Sequence, residues 1–304
     1  MGKGETAYIN VFLLFLYLIM ITIKTIAVCG AGTMGAGIAQ VAAAAGYQTV
    51  LFDLQQSVLD NAKEQITRQL ETAVAKGKLA ADQPTVIFER IRFTTNVLDC
   101  VAELVIEAIV EKQEAKAGLF NQLAAINSDE TILATNTSSL AVSAIAAGIT
   151  HPERVAGMHF FNPAPLMKLV EIVQGQETSQ EVIEVLYALS LKLGKTPVHV
   201  KDTPGFIVNR VARHYYLEAM QIASDGVAEF RTIDRLLESA GFRMGPFALM
   251  DLIGNDVNLA VTQSLYDSFD KAPRFTPNRL QIERVQQGAL GKKSGKGFYN
   301  YGEV

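Results

Sequence analysis

His159 stands between apolar residues in Gly157-Met158-His159-Phe160-Phe161, and Glu171 follows twelve residues later inside the apolar run 169–173. Imidazole titrates near neutral pH, so a histidine at a strand end suits general-base work on a hydroxyl group. A glutamate in an apolar strand is costly to bury alone. Glu171 therefore predicts a partner, and His159 is the candidate. Such a pair would orient the ring and stabilise its protonated form, as the acid does in a hydrolase triad.

A second constellation lies nearer the N-terminus. Gly30-Ala31-Gly32-Thr33-Met34-Gly35 fits G-x-G-x-x-G, and Asp53 follows 18 residues after Gly35. The pattern is weak alone. It gains force here because it joins a strand-like run to a helix-like one. The first glycine permits a tight turn, the second admits a pyrophosphate, and the third allows close helix–strand packing. The helix N-terminus favours negative charge. Asp53 would accept from ribose hydroxyls and repel a 2′-phosphate, and no arginine follows it, so NAD is expected over NADP, while FAD sites share the same fingerprint.

Elements that must carry these residues follow from periodicity. Strands are expected over 21–29, 48–52, 92–94, 104–107, 131–134, 154–159, 168–172 and 196–200, and helices over 34–45, 112–126 and 140–147. Strands alternating with helices predict a parallel, doubly wound α/β sheet of the Rossmann type. Ser57 reads as the N-cap of a long helix over 58–76, which with 83–90 forms an inserted helical hairpin. Beyond Pro204 the pattern turns helical, over 206–225, 232–241, 247–269 and 277–287. The expected division is 20–203 for the nucleotide-binding domain and 204–304 for an all-helical domain.

Composition sets limits. The 304 residues hold 49% hydrophobic and 19% charged residues, so two folded domains without disulfides are expected. Lys plus Arg is 27 against 31 for Asp plus Glu, a net charge of −4 that gives no reason to expect nucleic acid or an acidic membrane. Cys29 and Cys100 form no C-x-x-C pair, and His151, His159, His199 and His214 form no H-E-x-x-H, so no metal site is expected. Few cysteines suit a reducing compartment, and the cytoplasm is expected. The apolar run 11–23, VFLLFLYLIMITI, is shorter than the ~20 residues that span a bilayer. A packed extension and a membrane anchor are the other readings. The favoured one is that 1–19 precede a natural start at Met20, with no stable membrane association.

Seven blocks in order then resemble one family. They are GAGTMGAGIAQ (30–40), IEAIVE (106–111), NTSSL (136–140), HFFNPAPLMKLVE (159–171), KDTPGFIVNR (201–210), GFRMGPF (241–247) and GKKSGKGFYNY (291–301). From about residue 20 onward the chain resembles the 3-hydroxyacyl-CoA dehydrogenase family, in its stand-alone bacterial 3-hydroxybutyryl-CoA dehydrogenase form. The resemblance implies NAD-dependent interconversion of a short-chain (S)-3-hydroxyacyl-CoA and its 3-keto partner. It implies His159 as general base with Glu171 as partner, Ser138 as holder of the 3-oxygen, and Asn209 as holder of that oxygen or of the thioester region. Gly30, Gly32, Thr33, Met34, Gly35, Asp53, Glu111, Lys116, Ser138, Asn162 and Lys293 would line the cofactor site. Lys76, on the inserted hairpin, would meet a CoA phosphate. The helical half would close the cleft and form a homodimer.

Two departures stand out: Gln69 occupies a position often held by serine at a CoA contact, and Ala248 replaces a common glutamate. Plainer readings stand beside these roles. His159 would be a buried histidine satisfied by a carbonyl, Ser138 a helix N-cap, Asn209 a helix start, and Lys76 and Lys116 solvated lysines. The rival functions are 3-hydroxyadipyl-CoA dehydrogenase chemistry, a gulonate-type dehydrogenase, and a non-catalytic NAD-binding structural protein.

Overall fold

The computed structural model describes residues 23–302. The expectations for 1–19 and for Met20 as initiator lie outside the described residues, as do the first two residues of the expected 21–29 strand. Two compact units divide at Asp202 and Thr203.

The first unit is built on strands β1 (Thr25–Cys29), β2 (Gln48–Phe52), β3 (Ile91–Thr94), β4 (Leu104–Glu107), β5 (Ile132–Thr135), β6 (Val155–Phe160), β7 (Leu169–Gln174) and β8 (Thr196–Lys201). They form one sheet in the order β3-β2-β1-β4-β5-β6-β7-β8. Its helices are α1 (Thr33–Ala44), α2 (Gln56–Ala75), α3 (Gln83–Glu89), α4 (Gln113–Ile126), α5 (Val142–Ala146) and α6 (Gln180–Lys192). β1 and β4 are sequestered along their length, with Ile26, Val28, Leu104 and Ile106 fully buried, as strands covered on both faces require. Glu103 anchors the start of β1 by accepting from the Lys24 and Thr25 amides at 3.0 and 2.8 Å. The strand order reverses between β1 and β4, which opens a crevice at their C-terminal ends.

The doubly wound expectation holds, with one difference. β7 runs antiparallel to β6, whereas β8 lies parallel to β7. The cause is loop length. Residues 161–168 supply no crossover helix, and a parallel return needs a dozen or more residues. Between β7 and β8, α6 provides that crossover.

Two local expectations in this unit need correction. Ser57 is not the cap of α2, whose N-cap is Gln55, while Asp53 Oδ1 accepts from the Gln55 amide at 3.0 Å. Ser138 is not a cap either. α5 starts after Ala141, and Asp202 accepts from the amides of Val142 and Ser143 at 3.1 and 2.8 Å. The cap thus comes from 60 residues away, where local sequence gives no sign of it.

The second unit holds α7 (Val208–Ser224), α8 (Phe230–Ser239), α9 (Pro246–Ile253), α10 (Asn255–Ser268) and α11 (Arg279–Gln286). The single helix expected over 247–269 is two. Gly254 adopts φ +106°, which interrupts the helix and is open to glycine without strain. Tyr216, Met220, Phe247, Met250 and Phe298 form this unit's apolar core.

Candidate active site

The glycine turn follows β1 and opens α1. Gly30 has φ +101°, and a Cβ there would lie 2.5 Å from the Ala108 carbonyl oxygen. A Cβ on Gly35 would overlap the Gly30 carbonyl oxygen, so its lack of a side chain lets helix and strand close. A Cβ on Gly32 would meet nothing within 4 Å, which leaves open space beside the helix N-terminus. Thr33 and Met34 supply the first residues of α1. Asp53 reaches across the turn, its Oδ2 accepting from the Ala31 amide at 2.9 Å. An open glycine face, a free-standing helix start and a carboxylate at the end of β2 fit a dinucleotide pyrophosphate and ribose.

A buried charge network stands at the ends of β4 and β5. Lys116, for which the sequence also allowed a solvated face, is 1% exposed. Its ammonium lies 2.6 Å from Glu107 Oε1 and 3.1 Å from Glu111 Oε2. Glu107 is missing from the sequence-based assignments, although it ends a strand that is otherwise apolar. Glu111 Oε1 accepts from Thr137 Oγ1 at 2.6 Å and from the Ser138 and Ser139 amides at 3.0 and 3.2 Å. Burial opposes its charge, yet Lys116, Thr137 and the Ser138 amide together hold the Glu111 carboxyl below the usual carboxylate range.

His159 and Glu171 face each other across the β6–β7 ladder. His159 Nδ1 and Glu171 Oε2 are 2.7 Å apart, and the residues are 5% and 1% exposed. A carboxylate only accepts, so Nδ1 carries the hydrogen toward it, and Nε2 is the ring nitrogen that this pair does not use. The Phe161 ring packs 4.5 Å from the imidazole centroid. Asn136, another residue the sequence reading passed over, ties the two halves together. Its Oδ1 accepts from the Phe160 amide at 2.8 Å, and its own amide donates to the Glu107 carbonyl at 2.8 Å. Ser138 thereby follows β5 on a loop fixed to the strand that carries His159.

The remaining assignments fall in several places. Asn162 is exposed on the loop after β6. Lys76 ends α2 and lines a cavity of about 830 Å³ together with Arg68, Gln69, Lys78, Lys168 and Lys192. Ligand sites commonly fall in this size range, ~300–1,000 Å³. Gln69 Oε1 and Gln40 Oε1 point into buried positions without a hydrogen-bond partner among the described residues, and both residues line that cavity. Such unsatisfied acceptors favour a ligand that brings donors. Lys195, also on its wall, donates to the Ala164 and Met167 carbonyls at 2.5 and 2.9 Å. Burial, with Lys168 nearby, brings its ammonium down to about 8. In the second unit, Asn209 sits in the first turn of α7. There Lys293 donates to Asp256 Oδ2 at 2.7 Å.

Residues 25–203 match the 3-hydroxyacyl-CoA dehydrogenase NAD binding domain, and residues 205–301 match the 3-hydroxyacyl-CoA dehydrogenase C-terminal domain. The 3-hydroxyadipyl-CoA dehydrogenase of Escherichia coli is 50% identical over 284 residues, which cover 93% of this chain but only 60% of that protein. The 3-hydroxybutyryl-CoA dehydrogenase of Clostridioides difficile is 41% identical, over 91% of this chain and 99% of its own. Among solved structures, the (S)-3-hydroxybutyryl-CoA dehydrogenase of Ralstonia eutropha superposes with a TM-score of 0.88 at 37% identity, covering 93% of this chain and all of that one. Both domains are matched in order along nearly the whole described chain, and the chain belongs to the 3-hydroxyacyl-CoA dehydrogenase family, NAD-dependent oxidoreductases that act on a CH–OH group.

Proposed function

We propose that this chain interconverts short-chain (S)-3-hydroxyacyl-CoA and 3-ketoacyl-CoA, with 3-hydroxybutyryl-CoA as the working substrate. The observation that carries the reading is the buried His159–Glu171 pair, with Nδ1 committed to the carboxylate at 2.7 Å. His159 Nε2 takes the 3-hydroxyl proton, and Glu171 stabilises the imidazolium that results. Ser138 and Asn209 hold the oxygen as negative charge develops on it. When bound, NAD accepts the hydride released from C3. Asp53 holds its ribose, and Glu111, Lys116, Asn162 and Lys293 line its site. The cationic cavity around Lys76 supports a CoA phosphate as the far end of the substrate.

The test is oxidation of NADH with acetoacetyl-CoA, with NADPH and free acetoacetate as controls. Turnover confined to NADH and the CoA ester is expected. Equal rates with free acetoacetate would overturn the substrate class. His159→Gln should lower kcat about 10²–10⁴-fold and leave NADH binding intact. An unchanged kcat would remove His159 from the chemistry.

A carboxylated acyl chain is a second reading, favoured by the E. coli relative at 50% identity. A higher kcat/KM for 3-oxoadipyl-CoA than for acetoacetyl-CoA would select it. We further infer a two-fold homodimer in the cytoplasm. A monomer mass by light scattering, or recovery with the membrane fraction, would overturn these assignments.

A further inference from the structure

Glu107 ends β4 with its side chain fully buried. An ion in such a place costs several kcal/mol unless donors surround it. Three do. Lys116 Nζ and the Ile109 amide donate to Oε1 at 2.6 and 2.7 Å, and Thr135 Oγ1 donates to Oε2 at 2.7 Å. The carboxylate is therefore fixed from three directions.

Glu111 is different, with 37% of its side chain exposed. Its position depends on the Lys116 ammonium 3.1 Å from Oε2. Its other oxygen gathers Thr137 Oγ1, the Ser138 amide, and the amide and hydroxyl of Ser139. Two routes lead from Glu107 to the same loop. One passes through Lys116 and Glu111. The other passes through Thr135, whose Oγ1 also accepts from the Thr137 amide at 3.2 Å.

We propose that Glu107 is a positioning residue for Ser138, acting through Lys116 and Glu111. The inference rests on the proposed role of Ser138 in holding the substrate oxygen. Glu107 fixes the ammonium, the ammonium fixes the outer carboxylate, and the outer carboxylate fixes the serine loop. Without its charge, Lys116 turns wholly to Glu111, the acceptor at Oε1 shifts, and Ser138 leaves its place. A displacement of about 1 Å at a reacting group can cost about a hundredfold in rate.

The experiment is a kinetic cycle with acetoacetyl-CoA and NADH on wild type, Glu107→Gln, Ser138→Ala and the double variant. Glu107→Gln should lower kcat about tenfold to a hundredfold. On the Ser138→Ala background the same change should lower kcat less than about twofold, because its effect runs through the serine. A Glu107 that only neutralises a buried lysine would slow both backgrounds equally, and that result overturns the proposal.

If Glu107→Gln does not fold, the pair Glu107→Gln/Lys116→Met removes both fully buried charges and leaves only the part-exposed Glu111 without its cation. Its kcat should match that of Lys116→Met alone, and a further drop would count against action through Lys116. If wild type does not turn over acetoacetyl-CoA, the dehydrogenase reading has failed separately. Hydrogen exchange of the 136–140 amides then decides about Glu107. Faster exchange in Glu107→Gln supports the positioning role, and unchanged exchange overturns it.

Discussion

Glu107 in the first unit and Asp251 in the second are both sealed from solvent, at 0% and 1% exposure. They are stabilised by different means. Glu107 meets an ammonium and two neutral donors. Among the described residues the hydrogen-bond donors to Asp251 are all neutral: Asn255 Nδ2, the amides of Phe298 and Tyr299, and Tyr301 Oη, each at 2.9 to 3.0 Å. Asp251 pins the 298–301 segment onto α9, whereas Glu107 passes its charge outward to a loop. Neutral donors make a strong fastening that ends where it begins. An ion pair shared with a second carboxylate couples one place to another.

Lys116→Met should have the largest effect on stability. It strands two carboxylates around a missing cation, and breaking a buried pair from one side costs about 3–5 kcal/mol. Urea unfolding would measure it, and a loss no greater than for an exposed lysine would erase the contrast between the units. Asp251→Asn should cost about 1–3 kcal/mol, because its amide turns a donor toward other donors. Its kcat per folded molecule should stay at the wild-type level, and a large kinetic loss would mean that the second fastening also transmits.

Lys195 inverts both cases, as a buried ammonium held by two carbonyls. Its pKa falls to about 8, with burial the first cause and Lys168 the second. The unfolded chain keeps the ordinary lysine value near 10.4 and binds more protons between these limits. Stability therefore rises with pH across this window, on account of this group. Relative to Lys195→Met, wild type should gain in urea midpoint from pH 7.5 to pH 9.5, and a constant difference would refute the assignment. The smallest effect belongs to Tyr301→Phe, which removes one of the four Asp251 donors. It should cost about 0.5–1.5 kcal/mol, read by thermal unfolding.

Much of the fold was legible because its signals are local. The glycine turn, the apolar strands and the change of pattern after Pro204 all read directly. What was missed depends on distance or on a rule applied once too few. The cost of burying an unpaired carboxylate, which calls for His159 beside Glu171, applies equally to Glu107, the last residue of Leu104-Val105-Ile106-Glu107. Applied there, it would have asked for a cation and found Lys116 nine residues on. The reversal of β7 was available from the eight-residue gap after Phe160. The cap on α5 was not, because Asp202 supplies it from the far end of the unit. Gly254 was passed over since one glycine within a helical pattern is often tolerated.

The hairpin of β6 and β7 has a practical consequence for anyone recombining this chain with its relatives. His159 and Glu171 meet because ladder register sets them opposite each other, and a one-residue slip would turn Glu171 to the other face of the sheet. Loop length helps to set that register, and the Ala164 and Met167 carbonyls fasten the loop to Lys195. Grafts that change the length of 161–168, or that join unequal lengths inside either strand, put the alignment at risk. Residues 157–173 are accordingly the smallest cassette that can be moved as a piece.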